Sequence, residues 1–210
     1  MNAKVKIFEH QFFSRWFPIL AHIGCLVPIP VLIYEAGSGN LSADPIQAAI
    51  LRTGKIALEL LILSLACTPL NTIFGFSPAI RVRRLLGDYA FLYVCLHFAI
   101  FVSLDYGFDF QYIMPELAKP YLLAGVIAGI LLIPLAITSF SPWPKRLGKN
   151  WKQLHNLVYL INLLAVLHFI LVVKQGVTQP YLWLILIIFL LVLRIPPIRH
   201  ALSGFFTHQE

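Results

Sequence analysis

The 210-residue chain is 59% hydrophobic and 12% charged, about half the charge of an ordinary soluble domain. A water-soluble fold of this length has too little interior to hide that much apolar surface, which excludes a soluble globular domain. The net charge of +7 raises nucleic acid as a partner, but the basic residues fall on alternating loops rather than in one patch, so no nucleic-acid surface is expected.

A spanning helix needs roughly 20 mainly apolar residues. Six stretches meet that length or approach it: Trp16–Tyr34, Ile50–Leu70, Leu85–Leu104, Pro120–Phe140, Leu154–Val173 and the shorter Tyr181–Ile195. None alternates apolar and polar residues as a barrel strand does. The expected fold is an all-α integral membrane protein, a six-helix bundle forming one domain over residues 1–210.

Lys4, Lys6 and Arg15 precede the first run, and Arg81, Arg83 and Arg84 lie between the second and third. Lys145, Arg146, Lys149 and Lys152 separate the fourth from the fifth, and Arg194 and Arg199 follow the sixth. The other side keeps Arg52, Lys55, Lys119 and Lys174, with Glu35, Asp44, Asp105, Asp109 and Glu116 in its loops. The positive-inside rule then puts both termini in the cytoplasm and the acidic loops outside. The lysines before the first run resemble a signal peptide, but the run is too long and lacks a small-residue cleavage site, so it is read as a retained helix. Cys25, Cys67 and Cys95 all fall in apolar runs and read as packing residues.

No internal repeat stands out, and the connections are short. No glycine-rich turn opens a helix after a strand, and no phosphate-binding loop occurs. Reducing equivalents, if used, must come from another protein or from a donor dissolved in the membrane.

Histidines at membrane depth are expensive and point to function. His10, His200 and His208 lie near the termini and read as surface residues. At ~1.5 Å per helical residue, His97 lies roughly 18 Å in from the cytoplasmic side, His168 roughly 25 Å, His22 roughly 10 Å and His155 roughly 6 Å. Two axial ligands of one haem need similar depth, so His97 and His168 form the leading pair and His97 and His168 are the expected iron ligands. His155 and His22 are a candidate second, inner pair. Thirteen residues separate His155 from His168, which on a straight helix turns them well apart in azimuth. Arg52 and Lys55 could neutralise haem propionates or serve as interfacial anchors.

At these residues the chain resembles a known family. One segment is Arg83-Arg84-Leu85-Leu86-Gly87 followed by Tyr93 and His97; a second runs from Lys145 through Gly148-Lys149-Asn150-Trp151 and Leu154-His155-Asn156 to Tyr159, followed by Leu167-His168. Ala43-Asp44-Pro45, Thr53-Gly54, Thr68-Pro69-Leu70 and Lys119-Pro120-Tyr121 support it. Together these are similar to the MsrQ (YedZ) family, haem-binding membrane subunits of the bacterial protein-methionine-sulfoxide reductase system. The resemblance implies a ferric reductase-like transmembrane fold in the inner membrane, b-type haem, and FMN as a further cofactor. It implies electron transfer to a periplasmic molybdenum-cofactor catalytic subunit from a cytosolic flavin reductase or a membrane quinol. It carries His97, His155 and His168 over as haem-associated residues.

The wider oxidase superfamily has two ligating histidines on helix three, whereas this chain has only His97 there. One outer haem leaves much of the ~30 Å hydrocarbon layer to cross. A flavin, a quinol or a second haem using His22 is therefore expected near His155, with Arg84, Lys149 or Trp151 beside it. The competing readings are a small histidine-based transporter or proton channel, for which Glu59 is the main carboxylate, and a membrane anchor without a redox centre of its own.

Overall fold

The computed structural model describes residues 16–173, 176–195 and 197–198, which leaves Lys4, Lys6, His10, Arg15, Lys174, Arg199, His200 and His208 outside the described residues. Within them the chain is helical. Helix α1 is Trp16–Gly37 and α2 is Pro45–Phe74. Helix α3 runs over Pro78–Ile100 and continues as one π-helical turn, Phe101–Asp105. The short α4, Phe110–Leu117, precedes α5, Pro120–Ser139. Then come α6, Trp143–Leu147, α7, Lys149–His155, and α8, Leu157–Val172, with α9 at Gln179–Val192.

Five helices are long and apolar enough to cross a membrane, α7 and α8 counting as one span of 24 residues. The sixth apolar helix, α9, has 14 residues. That gives it about 21 Å, short of a ~30 Å hydrocarbon layer. Several helices outrun the apolar stretches that announce them, because hydropathy reads composition while capping fixes the ends. α2 begins at Pro45, where the Asp44 side chain accepts from the Gln47 amide and Pro45 needs no partner for a missing N–H. It ends at Gly75, held at φ 65°, a left-handed cap. α3 starts at Pro78 and carries its helix through the basic run Arg81–Arg84.

α2 lies at the centre. One side joins Ala57, Leu60 and Leu61 to Ala90 and Tyr93 of α3 and to Ala128 and Leu132 of α5. Its other side sets Leu58, Ile62 and Leu65 against Val166 of α8 and Ile187 and Leu190 of α9. The small residues at these crossings let backbones approach, as membrane helix packing requires. Outward-facing Leu20, Ile33, Ile130, Leu182 and Ile185 are all more than half exposed. Their exposure suits hydrocarbon rather than water.

Several polar groups inside the bundle find partners on other helices. The Tyr93 hydroxyl donates to the Cys25 carbonyl at 2.7 Å and ties α1 to α3. Pro69 interrupts α2, and its missing N–H frees the Leu65 carbonyl one turn back. The Arg194 guanidinium donates to that carbonyl and, at 2.8 Å, to the Tyr159 hydroxyl. Arg52 is ion-paired with Glu35, joining α2 to the end of α1.

Candidate functional site

α3 carries His97 one turn before its α-helical part ends, and α8 carries His168 one turn before Val172. Each ring reaches across to the backbone of a neighbouring helix. His97 Nδ1 lies 2.8 Å from the Ile50 carbonyl of α2, and His168 Nδ1 lies 2.6 Å from the Tyr121 carbonyl of α5. A carbonyl oxygen only accepts, so each Nδ1 carries the hydrogen and each Nε2 keeps its lone pair. The two ring centroids are 6.3 Å apart with their planes at 84°. Both rings border a cavity of about 570 Å³ whose other walls are largely apolar, among them Leu61, Phe91, Leu132, Ile161 and Phe169.

The cavity opens toward the acidic end of the bundle. Lys55, Asp105, Tyr106, Glu116 and Tyr121 stand there. Lys55 also faces Glu59 one turn along α2 at 3.9 Å. The Tyr121 hydroxyl donates to the Glu116 carboxylate, and Lys119 pairs with Glu116 at 2.6 Å. The Lys119 contact first and the Tyr121 hydroxyl second hold the Glu116 carboxyl below the ordinary carboxylate range. Tyr121 thus touches the site twice, through its carbonyl to His168 and through its hydroxyl to the mouth.

His155 stands apart from this cavity. Its Nε2 is 3.1 Å from Thr138 Oγ1 on α5. The Thr138 hydroxyl itself donates to the Pro134 carbonyl at 2.6 Å, so the His155 Nε2–H donates to Thr138. Trp151 stacks on the His155 ring, centroids 4.1 Å apart, and its indole N–H donates to the Thr138 carbonyl at 2.9 Å. The charges of Arg83 and Arg84 reach His155 from α3. Arg84 and Lys149, like the neighbouring Lys145 and Arg146, are exposed. His22, exposed on α1, turns Nδ1 to the Tyr89 hydroxyl of α3 at 2.9 Å. The structure therefore brings His97 and His168 together, and it seats His155 and His22 against Thr138 and Tyr89 on different helices. The azimuth difficulty between His155 and His168 is met by different partners, since His155 addresses Thr138 whereas His168 addresses the Tyr121 carbonyl and His97.

Sequence reasoning missed the two carbonyls that orient the rings and the glycines beside them, and it saw no internal repeat. The signal was present. Leu96-His97-Phe98 returns 71 residues later as Leu167-His168-Phe169. Leu51, Gly54, Ile56, Ala57, Leu60, Leu61 and Ile62 of α2 return at the same offset as Leu122, Gly125, Ile127, Ala128, Leu131, Leu132 and Ile133 of α5. The structure folds each copy into a helical pair, α2 with α3 and α5 with α8, and the two pairs enclose the cavity. An apolar search for helices cannot distinguish this recurrence from the common currency of Leu, Ile and Ala; the paired histidine contacts make it visible.

Residues 53–166 match the family described as ferric reductase like transmembrane component. The chain is 44% identical over 171 residues to the protein-methionine-sulfoxide reductase heme-binding subunit MsrQ of Xanthomonas axonopodis pv. citri, covering 78% of both chains. It is 38% identical over 189 residues to the subunit of the same name from Rhodospirillum rubrum, covering 89% of this chain and 91% of that one. No solved structure matches it. With a multi-pass helical fold, a ferric reductase-like core and this degree of identity over most of its length, the chain belongs to the MsrQ family of protein-methionine-sulfoxide reductase heme-binding subunits.

Proposed function

We propose that the chain is a transmembrane electron relay that holds b-type haem between His97 and His168. One observation carries the reading: two imidazoles from different helices face each other across a cavity at 6.3 Å between ring centres. Two imidazole nitrogens bonded to one metal from opposite sides, each at about 2.0–2.1 Å, bring the ring centres about 6 Å apart. The residues fit in a second respect. Each Nδ1–H is committed to a carbonyl, which leaves Nε2 for iron and raises its basicity. Haem would supply a reversible one-electron change at its iron.

The chain's own residues set the conditions for that change. His97 and His168 would both hold the iron, and a metal held by two protein ligands would be closed to substrate, which favours relay over chemistry on the metal. Leu61, Phe91, Leu132, Ile161 and Phe169 exclude water and keep the site in a low-dielectric setting. Methionine sulfoxide reduction belongs to a partner, a periplasmic molybdenum-cofactor catalytic subunit that accepts electrons at the acidic end. Arg194, just past α9, bonds the Leu65 carbonyl beside the Ser64–Arg83 contact, so α9 returns the chain to the basic end; that end, both termini included, faces the cytoplasm, and the membrane is the bacterial inner membrane. His155, with Trp151, Thr138, Arg84 and Lys149, marks the donor side, where a membrane quinol, or FMN served by a cytosolic flavin reductase, is reoxidised.

The test is a purified preparation made with ample haem supply. Wild type should show a low-spin haem spectrum that shifts on dithionite, and His97→Ala and His168→Ala should each lose it. His155→Ala should keep the wild-type ratio of haem to protein. A colourless wild type, or unaltered spectra in both axial variants, would overturn the relay.

A further inference from the structure

Each histidine of the facing pair lies directly over a glycine. A Cβ added to Gly54 of α2 would sit 2.9 Å from His97 Nδ1 and 3.0 Å from its Cε1. One added to Gly125 of α5 would sit 2.9 Å from His168 Cγ and 3.0 Å from Cδ2 and Nδ1. Contacts that close are repulsive, since carbon atoms pack best at about 3.5–4.0 Å. The obstructing group is not a loose chain end. It is an aromatic ring pinned by its own hydrogen bond, to Ile50 in one case and Tyr121 in the other. Each of those carbonyls lies four residues before the glycine, so in a helix the same oxygen also receives the glycine N–H. A carbonyl has two lone pairs and serves both donors.

The crowding is selective. A Cβ on Gly129, in the same wall, would meet Val94 Cγ1 at an ordinary 3.6 Å, and one on Gly87 would meet Ser64 Oγ at 4.0 Å. Close approach at Gly54 and Gly125 therefore follows the imidazoles and not helix packing at large. The two glycines also hold the same place in the 71-residue repeat, with the same offset to the histidine that each faces.

We propose that Gly54 and Gly125 are paired positioning residues, each admitting one imidazole against helix backbone so that Nδ1 reaches its carbonyl while Nε2 stays aimed at a shared iron. This rests on the haem reading above. A methyl group at either position pushes its ring back by about 0.5–1 Å, toward the cavity. The ring then loses its carbonyl or its alignment with the opposite ring. Because the copies are equivalent, the two substitutions have the same effect by the same route.

The experiment uses full-length protein purified with haem: wild type, Gly54→Ala, Gly125→Ala, His97→Ala, and Gly87→Ala as a control outside the cavity wall. Monodispersity and thermal unfolding report the fold. The readouts are spin state, midpoint potential, and carbon monoxide binding by the ferrous protein, which a haem with two protein ligands resists. Gly54→Ala and Gly125→Ala should each remain monodisperse, gain high-spin character, shift the potential upward and bind carbon monoxide at least tenfold more than wild type. Gly87→Ala should match wild type throughout. Wild-type spin state, potential and carbon monoxide inertness in both alanine variants overturn the proposal, while loss of the low-spin signal in His97→Ala keeps the haem reading intact. Equal changes in Gly87→Ala overturn it too. A wild type without haem overturns the underlying reading instead. Should either alanine variant not fold, an experimental structure of the wild-type holoprotein decides: rings 97 and 168 in van der Waals contact with the Cα atoms of Gly54 and Gly125 support the proposal, and rings standing clear of them sink it.

Discussion

Arg194 offers a stability experiment whose outcome follows from one missing hydrogen. Pro69 deprives the Leu65 carbonyl of its helical donor, and Leu65 is 1% exposed, so water does not replace it. Arg194 supplies the substitute and also grips the Tyr159 hydroxyl, with its guanidinium 5.1 Å from the Tyr159 ring centre. Replacing Arg194 with Met keeps much of the side-chain volume and removes both donors. A hydrogen bond from a charged group contributes about 1.5–3 kcal/mol in soluble proteins. Polar contacts between membrane helices average ~0.6 kcal/mol and reach ~1.7. Two such contacts put Arg194→Met at about 1–3 kcal/mol of destabilisation. In a Pro69→Ala background the helix supplies its own donor to Leu65, and the cost of Arg194→Met should fall by about 1 kcal/mol. Reversible unfolding in mixed micelles, followed by tryptophan fluorescence across the four proteins, measures that coupling. Costs agreeing within about 0.3 kcal/mol in the two backgrounds would refute the reasoning, because the guanidinium would then not be serving the orphaned carbonyl.

Other outcomes follow from contacts already described. Tyr93→Phe removes the bond to the Cys25 carbonyl and should lower stability by about 0.5–1.5 kcal/mol without altering the haem spectrum. Thr138→Val withdraws the hydroxyl that His155 addresses; we expect an unchanged spectrum from the His97–His168 site together with slower reduction by a quinol, read by stopped flow. The Glu116 carboxyl has a folded pKa below its unfolded value of about 4.3, so its stabilisation is complete above that value and disappears as pH falls through the lower folded value. Thermal unfolding from about pH 6 to about pH 3 should therefore show an acid loss that Glu116→Gln lacks. Single cysteines placed at Asp109 and at Lys152 should react with a membrane-impermeant thiol reagent from opposite faces of the inner membrane, the former from the periplasm; labelling from the same face would overturn the assigned topology.

The membrane character, the helical class and five of the apolar spans were legible because length and hydropathy are read from neighbouring residues. The meeting of His97 with His168 was legible for a similar reason: helical rise converts sequence position into depth, and depth is what two opposed rings must share. What escaped was everything that depends on azimuth and on backbone. Neither Ile50 nor Tyr121 advertises a carbonyl that will hold an imidazole. Gly54 reads as one weak helix residue until a ring is seen against it. The partner of His155 could not be had from spacing either, since Thr138 lies on a helix packed beside it rather than along it. α9 stops at Val192 and Leu193–Ile195 leave the helix, so an apolar run extended to Ile195 overstates its length.

The fifth span is fastened to a single neighbour near both of its ends. At its foot the Trp151 indole N–H and the His155 ring bond the carbonyl and hydroxyl of Thr138, and near its tip the His168 ring bonds the Tyr121 carbonyl, all on Pro120–Ser139. A tilt of that neighbour therefore carries both rings of the span with it, so one displaced helix is felt at the two faces of the bundle together.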